Sequence, residues 1–276
     1  MNSAADRPSF SIVTISYNQA AFLERTIRSV LEQDYAPLQY IVVDGGSTDG
    51  SVDIVNRYRS RLDSVLLGPD FGPADGLNKG FAQATGEWLG FLNSDDTFLP
   101  GALQTVAAYV RRHPRAEFVS GHCWVTDAND RVLRKSYSDP FSVRRLAYDA
   151  CILIQAATFF RRSLLEKAGG FNVQNRIAWD SELFLQFGMM GAKHGLIDEF
   201  LATYRLHPES ITGANRVAAS RGAIQDAYLR RYLGRELRPR DRHLRKICRY
   251  WRKLLNPRDT WQRVVGGPIG GRFAKE

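Results

Sequence analysis

Tyr40-Ile41-Val42-Val43-Asp44-Gly45-Gly46-Ser47 is a short apolar run that stops abruptly on an acidic, glycine-rich turn. Trp88-Leu89-Gly90-Phe91-Leu92-Asn93-Ser94-Asp95-Asp96 repeats the arrangement, with a continuous apolar run and two adjacent carboxylates after it. Runs of this length, apolar on both faces, read as buried strands rather than as alternating surface strands. Helical spacing lies between them. From Ala20 to Gln33 the apolar residues Leu23, Ile27, Val30 and Leu31 recur at helical intervals, and Val52, Ile54, Val55 and Tyr58 mark a second, shorter helix. Phe10–Ser16 and Val65–Leu67 read as further strands, and Lys79–Ala84 as a helix. Repeated strand–helix crossovers predict an α/β fold with a mostly parallel central sheet and helices on both faces. Ligands of such sheets bind at the carboxyl ends of the strands, where the polar clusters fall.

Beyond this half the pattern is coarser. Leu99–Val110 and Ser181–Met189 read as helices, Ala116–Val125 and Ile152–Phe160 as strands, and Arg131–Ser142 as a polar connection. The 276 residues suffice for one large core and are too few for two full-sized domains. A hydrophobic fraction of 44% excludes a disordered or fibrous chain. The first ten residues contain no apolar run, and the longest apolar stretch, Ala150–Phe160, is too short to span a bilayer. A cytoplasmic location is therefore expected. Three widely spaced cysteines, Cys123, Cys151 and Cys248, suggest neither a disulfide framework nor a thiolate zinc site. The net charge of +9 sits almost entirely in residues 230–276, which hold fifteen Lys or Arg against four Asp or Glu. This divides the chain into a near-neutral body, 1–229, and a basic helical tail, 230–276, with a task of its own. Within the tail, Leu244, Ile247, Cys248, Trp251, Leu254 and Leu255 would form one apolar stripe on a helix over 241–255. That helix could lie on an anionic membrane, or pack its stripe on the catalytic domain or on a second subunit. Nucleic acid is not an expected partner, because no recognition module accompanies the charge.

The chemistry-bearing residues follow the strands. Asp44 could accept hydrogen bonds from a base edge or ribose, or could organise a turn that caps the next helix. Neither a G-x-G-x-x-G fingerprint nor a phosphate-binding G-x-x-x-x-G-K-[ST] loop is present. Asp95 and Asp96 repel one another unless a cation or donors compensate, and hard oxygens of this kind suit Mg²⁺ or Mn²⁺ bridging to phosphate. The alternative is an Asx turn. Asp70–Asp75 with Asn78-Lys79-Gly80 adds an acidic loop whose Lys79 could meet phosphate or solvent. Trp179-Asp180-Ser181-Glu182 opens a helix, where Asp180 is either a cap or a general base for a hydroxyl. His207 in Tyr204-Arg205-Leu206-His207-Pro208 is either structural or a ligand.

In combination these segments resemble the family 2 inverting glycosyltransferases, whose catalytic domain has the nucleotide-sugar-binding fold of type A, a Rossmann-like sheet. The blocks are Ser11–Asn18, Val42–Gly50, Asp75–Gly80, Ala84–Glu87, Phe91–Asp96, Trp179–Leu185 and Tyr204–Thr212, in the family's order. The resemblance implies an enzyme that transfers a hexose from a nucleotide-sugar, by default a UDP-sugar, to a hydroxyl of a saccharide or lipid-linked saccharide. It is nearest to members that build bacterial exopolysaccharide, capsule or O-antigen. Residue by residue, Ile15 and Tyr17 would flank the nucleobase and Asp44 read its edge, with Asp75, Lys79, Asn93, Asp95 and Arg205 completing the nucleotide-sugar site. Asp96, helped by Asp95 and His207, would hold Mn²⁺ or Mg²⁺. Asp180 would be the catalytic base, and Trp179 and Glu182 would meet the acceptor. Two positions depart from the family pattern. Asn93 replaces an acidic residue, and Leu77 a basic one whose role would pass to Lys79 or Arg205. A nucleotidyltransferase-type sugar-nucleotide enzyme would use similar carboxylates but release pyrophosphate, and a non-catalytic scaffold would bind donor without turnover. Peripheral contact with an anionic membrane, and a homo-oligomer, are the expected assemblies.

Overall fold

A computed structural model describes residues 7–210 and 216–267. The side chains of 216–219 are not described, and Ile211 and Thr212, the end of the last motif block, fall outside the described residues. The first half follows the apolar runs closely. Strand β1 is Phe10–Ser16, helix α1 Ala20–Leu31, β2 Leu38–Asp44, α2 Ser51–Tyr58 and β3 Ser64–Leu67. They are followed by α3 at Pro73–Phe81 and β4 at Trp88–Asn93. Helix α3 starts six residues before Lys79, because Pro73 occupies its first position, where a missing N–H costs nothing.

The second half is less regular. Here β5 is Thr97–Phe98, α4 Ala102–Arg112, β6 Phe118–Thr126, β7 Val132–Ser136, α5 Val143–Ala147 and β8 Thr158–Arg161. Then come α6 at Arg162–Ala168, α7 at Trp179–Met189, β9 at His194–Arg205 and α8 at Arg216–Leu233. The basic tail forms α9, Pro239–Leu255, and α10, Pro257–Gly266.

All nine strands join one sheet, ordered β3-β2-β1-β4-β8-β6-β9-β5, with β7 paired to β6. The expectation of a mostly parallel, Rossmann-like sheet is wrong. Only β1–β2, β1–β4, β2–β3 and β6–β9 are parallel, whereas β4–β8, β6–β8, β6–β7 and β5–β9 are antiparallel. The sheet is mixed because the regular strand–helix crossovers stop after β4, and of the later strands only β6 and β9 run parallel to each other. Strands β6 and β7 are joined by five residues, enough for a hairpin and far too few for a parallel return. The supposed connection 131–142 thus contains a strand. Conversely, the apolar run before Phe160 is a strand only from Thr158, since residues 155–157 form a 3₁₀ turn.

Two cores flank the sheet. On one face Phe10, Ile12, Trp88 and Phe159 pack under Leu23 and Ile27 of α1 and Leu103 and Val106 of α4. On the other, Val13, Phe91 and Phe160 meet Leu77 of α3 and Leu183, Phe184 and Phe187 of α7. Glycine is required on the first face, where β4 runs beside β8. A Cβ on Gly90 would stand 2.8 Å from the Phe159 ring.

Candidate active site

The carboxyl ends of β1, β2 and β4 lie side by side, so Tyr17, Asp44 and Asn93–Asp96 emerge at one edge. The remaining polar group arrives from the far end of the chain. Immediately after Asp96, β5 pairs antiparallel with β9, Thr97 opposite Thr203. That register carries Arg205 and His207 back to the two aspartates. His207 Nε2 lies 3.1 Å from Asp95 Oδ2, and its ring is 4.6 Å from that of Phe22 on α1.

The adjacent carboxylates have different environments. Asp95 faces His207 and keeps some exposure, 17% of its side chain. Asp96 is buried. One of its oxygens accepts from the Arg205 backbone N–H at 3.0 Å, and the other is enclosed without a hydrogen-bond partner. Burial, reinforced by the charge of Asp95, pushes the Asp96 carboxyl well above the ordinary carboxylate range. The turn that sets them apart is fixed from α1. The Thr26 hydroxyl lies 2.8 Å from the carbonyl oxygens of both Ser94 and Asp96.

Arg205 is buried and committed. Its Nε donates to the Asp95 carbonyl at 2.9 Å and its Nη1 to the Asp127 carbonyl at 3.2 Å. Its Nη2 pairs with Asp130 at 2.6 Å. Asp130 stands at positive φ in the β6–β7 turn, where it also pairs with Arg25. Lys79 is likewise occupied, by Asp75 at 2.9 Å and the Pro69 carbonyl at 3.2 Å. Neither cation therefore stands free to replace the basic group missing at Leu77. Asn93 donates to Gln155 at 3.2 Å, and Gln155 in turn holds the Phe91 carbonyl at 2.8 Å.

On the nucleotide side Tyr17 is 62% exposed at the end of β1, and Ile15 is half-buried beside it. A Cβ on Gly76 would stand 3.3 Å from Ile15 and 3.0 Å from Asp70, so the glycine lets α3 approach this floor. Asp44 is fully buried. Its carboxylate accepts from Gly46 N, Ser47 N and Ser47 Oγ at 3.1, 2.7 and 2.7 Å, the turn-organising arrangement. Asp75 accepts from Phe71 N at 3.0 Å in addition to Lys79.

Helix α7 brings the last carboxylate. Trp179 is buried against Phe91 of β4, ring centroids 5.4 Å apart, and this contact sets the start of α7 beside the end of β4. From α8, Tyr228 locks the same turn by donating to the Ala178 carbonyl at 2.8 Å, its oxygen also 2.9 Å from Ser181 Oγ. Asp180 has one hydrogen bond, from the Ser181 N–H at 2.7 Å. Burial pushes its carboxyl above the ordinary range. Glu182, by contrast, is saturated. It accepts from Asn172 at 3.0 Å and from Asn175 at 2.6 Å, and pairs with Arg231 at 3.3 Å, fastening the loop before α7. Trp179 and Glu182 thus hold the frame around Asp180.

Sequence reading passed over several residues here. Phe22 carries His207 and lies 5.1 Å under the Arg205 guanidinium. Its one signal is an aromatic set off the apolar stripe of α1. Asn78 grips the Phe171 backbone with two bonds, 2.9 and 2.8 Å, tying α3 to the loop before α7. Arg176 of that loop lies against Gly72, and nothing in the sequence distinguishes it from other arginines.

The family model for glycosyl transferase family 2 matches residues 11–169, more than half of the chain. The chain belongs to that family. It is a glycosyltransferase, and its reaction is nucleotide-sugar-dependent glycosyl transfer. A PGL/p-HBAD biosynthesis glycosyltransferase of Mycobacterium tuberculosis is 34% identical over 179 residues, covering 63% of this chain and 68% of the relative. An uncharacterized glycosyltransferase of Nostoc is 28% identical over 239 residues, 82% of this chain and 72% of the relative. Among solved structures, the mannosyltransferase PcManGT of Pyrobaculum calidifontis, in complex with GDP-Man and Mn²⁺, superposes with a TM-score of 0.63. It is 21% identical, with 94% of this chain and 73% of that one covered. S. aureus TarS 1–349 with UDP-GlcNAc gives 0.62 at 21% identity, covering 82% and 71%. At such identities the likeness is one of fold.

Among the described residues no three His, Cys, Asp or Glu side chains are already gathered as a metal cage. Of the expected ligands Asp96, Asp95 and His207, Asp96 is buried, with one oxygen on the Arg205 N–H and the other enclosed, which leaves one carboxylate, Asp95, and one imidazole, His207, as the accessible donors. This pair suits Mn²⁺ or Mg²⁺ if diphosphate oxygens and water supply the remaining ligands, the usual habit of such ions.

Proposed function

We propose that the glycosyltransferase acts with inversion, in one in-line displacement on a metal-bound donor. Asp180 removes the proton of the acceptor hydroxyl as that oxygen attacks the anomeric carbon from the side opposite the nucleotide. A carboxylate that burial has made more basic suits this step, and Asp180 has one internal hydrogen bond to give up or share. When bound, the divalent cation supplies neutralisation of charge on the departing diphosphate. Asp95 and His207 would hold it, and Asp96 braces their turn through the Arg205 backbone. Ile15 and Tyr17 form the base platform, and the loop Asp44–Ser47 shapes its edge. The donor is a UDP-sugar and the acceptor a hydroxyl of a saccharide or lipid-linked saccharide in surface polysaccharide synthesis, met at the cytoplasmic face of the membrane. Residues 1–229 carry the reaction, and 230–276 a separate attachment.

The observation that carries this reading is the β5–β9 pairing, which sets His207 against Asp95 from over a hundred residues away. Calorimetry with UDP and GDP, each in Mn²⁺ and in chelator, tests it. UDP binding tightened at least tenfold by Mn²⁺ is expected. Equal affinity with and without metal would overturn the metal assignment, and preference for GDP would overturn the donor base.

A further inference from the structure

Helices α9 and α10 are built inside out. The side chains they turn toward the body are charged or polar. Asp241 and Arg252 of α9 and Asp259 of α10 are buried, and Arg252 bridges Asp139 at 2.7 Å and Asp259 at 2.6 Å. Asp259 is completely enclosed. It also pairs with Arg263 at 2.6 Å and accepts from Tyr137 N at 3.3 Å, while buried Arg134 of β7 stands 3.9 Å away. The side chains turned to solvent are the apolar ones. On α9 they include Trp251, Leu254 and Leu255, and on α10 Trp261, Val264 and Val265, all between 59% and 72% exposed. Water is a poor solvent for such a surface, and a contiguous exposed apolar patch marks a docking site.

The stripe expected from sequence is thereby altered. Leu244, Ile247, Trp251, Leu254 and Leu255 share one arc of about 100° on α9, as 100° steps per residue dictate. Cys248 falls outside it and packs against the catalytic core. Beyond the Asn256–Pro257 elbow α10 adds the exposed Trp261, Val264 and Val265, which the sequence stripe did not include. Exposed Arg240 stands within the α9 arc and exposed Lys246 and Lys253 lie about 80–100° around the helix from its edge, while Arg249 is tied back to Asp149 at 3.4 Å.

We infer that the α9–α10 elbow is a wedge that inserts its apolar residues into the interfacial layer of an anionic membrane. Charge decides between occupants. Residues 230–276 hold fifteen Lys or Arg against four Asp or Glu. A second copy of this chain seated on the same patch about a two-fold axis would bring like charges together, whereas anionic lipid meets them with opposite charge. Each cation near such a surface contributes roughly fivefold to partitioning at low salt. Helices of seventeen and ten residues can lie in the interface but are too short to cross it. The buried Arg252–Asp259 cluster fixes the wedge to β7, whose hairpin turn supplies the Asp127 and Asp130 partners of Arg205. Attachment therefore holds the active-site edge at a set orientation to the lipid surface, where a lipid-carried acceptor waits. Only that consequence rests on the proposed acceptor; attachment itself needs neither donor nor acceptor.

Full-length protein is sedimented with vesicles of equal phosphatidylglycerol and phosphatidylcholine, and with phosphatidylcholine alone, at 50 and 500 mM salt. The variants are Trp251→Glu/Leu254→Glu/Trp261→Glu and Lys246→Glu/Lys253→Glu, all at exposed positions, with thermal melts to check folding. Partitioning to anionic vesicles is expected to fall at least tenfold at high salt and at least tenfold in each variant, with melts unchanged. Wild-type protein left in the supernatant with anionic vesicles at low salt would overturn the inference. So would an apolar-face variant that binds as wild type, or a wild-type dimer which that variant dissociates. Donor turnover in vesicle-free solution is expected to survive in both variants. No donor turnover in the wild-type protein, with its vesicle binding intact, would count against the catalytic reading and leave the attachment standing.

Discussion

Replacing Asp180 by Asn isolates the proposed base with little structural disturbance. The amide is nearly isosteric, and its oxygen can keep the 2.7 Å bond from the Ser181 N–H. The neighbours that seat the helix are untouched, since Trp179 packs on Phe91 and Tyr228 holds the Ala178 carbonyl. What is lost is proton acceptance. General-base catalysis is worth about 10²–10⁴-fold, or roughly 3–5 kcal/mol of transition-state stabilisation. Transfer should fall by that factor in kcat while UDP affinity in Mn²⁺ stays within about twofold. The pH profile supplies a second readout. Burial raises the folded pKa of Asp180, so the acid limb of the wild-type kcat profile should lie above the ordinary carboxylate range. The same shift fixes the sign of the stability change. A carboxyl whose folded pKa exceeds its unfolded pKa costs stability as pH rises through that window, because the unfolded chain releases its proton first. Asp180→Asn should therefore melt above wild type at pH 7, with the gain vanishing at pH 3. Rapid-quench turnover, calorimetry and melting curves measure the three. A variant that keeps more than about a tenth of wild-type kcat, or melts well below wild type at pH 7, would refute the reasoning.

Asp95→Asn and His207→Ala should each abolish most of the Mn²⁺-dependent tightening of UDP, whereas Asp96→Asn, which keeps the bond to Arg205 N, should retain it; calorimetry distinguishes the three. Gly86→Ala should lower stability in urea by about 1–3 kcal/mol, because the new methyl would meet the Ser11 backbone nitrogen at 2.5 Å. Asp259→Ala should cost about 3–5 kcal/mol by removing the carboxylate that faces buried Arg134 and by leaving buried Arg252 with Asp139 alone. Burial alone would raise the Asp259 pKa, but Arg263 and Arg252 outweigh it and hold the carboxyl below the ordinary range. The wild-type contribution is thus present at neutral pH and lost as pH falls through the lowered folded pKa, so the difference between wild type and variant should narrow in acid.

The first half of the fold was legible because β1, β2 and β4 are buried on both faces and the helices between them carry clean apolar stripes. Phe10–Ser16 and Trp88–Leu92 end within a residue of β1 and β4. Strand direction in the second half was not legible, because apolar content does not encode it. β8 is entered through a 3₁₀ turn at Gln155–Ala157, and β7 is a polar strand, Val132-Leu133-Arg134-Lys135-Ser136, whose inward residue is the arginine met by Asp259. The site shows the same division. Motif order brought Asp95, Asp180 and His207 to attention, but their separate environments depend on the β5–β9 register and on the seating of Trp179. Sequence spacing likewise says nothing of saturation. Glu182 and Lys79 look available in the chain, whereas in the fold Glu182 is held by Asn172, Asn175 and Arg231, and half-exposed Lys79 is paired with Asp75. In the tail, periodicity located the helix and left its stripe open to either solvent or the body, and what it did not reveal is the charged cluster that faces inward and leaves Trp251, Leu254 and Leu255 exposed.

The most direct test of the account is product analysis. Purified protein is incubated with Mn²⁺, a panel of UDP- and GDP-sugars, and a panel of saccharide and lipid-linked acceptors, and the products are followed by NMR. The account predicts free UDP, a new glycosidic bond of anomeric configuration opposite to the donor's, and no such product with Asp180→Asn. Release of pyrophosphate, or a product that keeps the donor's configuration, would contradict it.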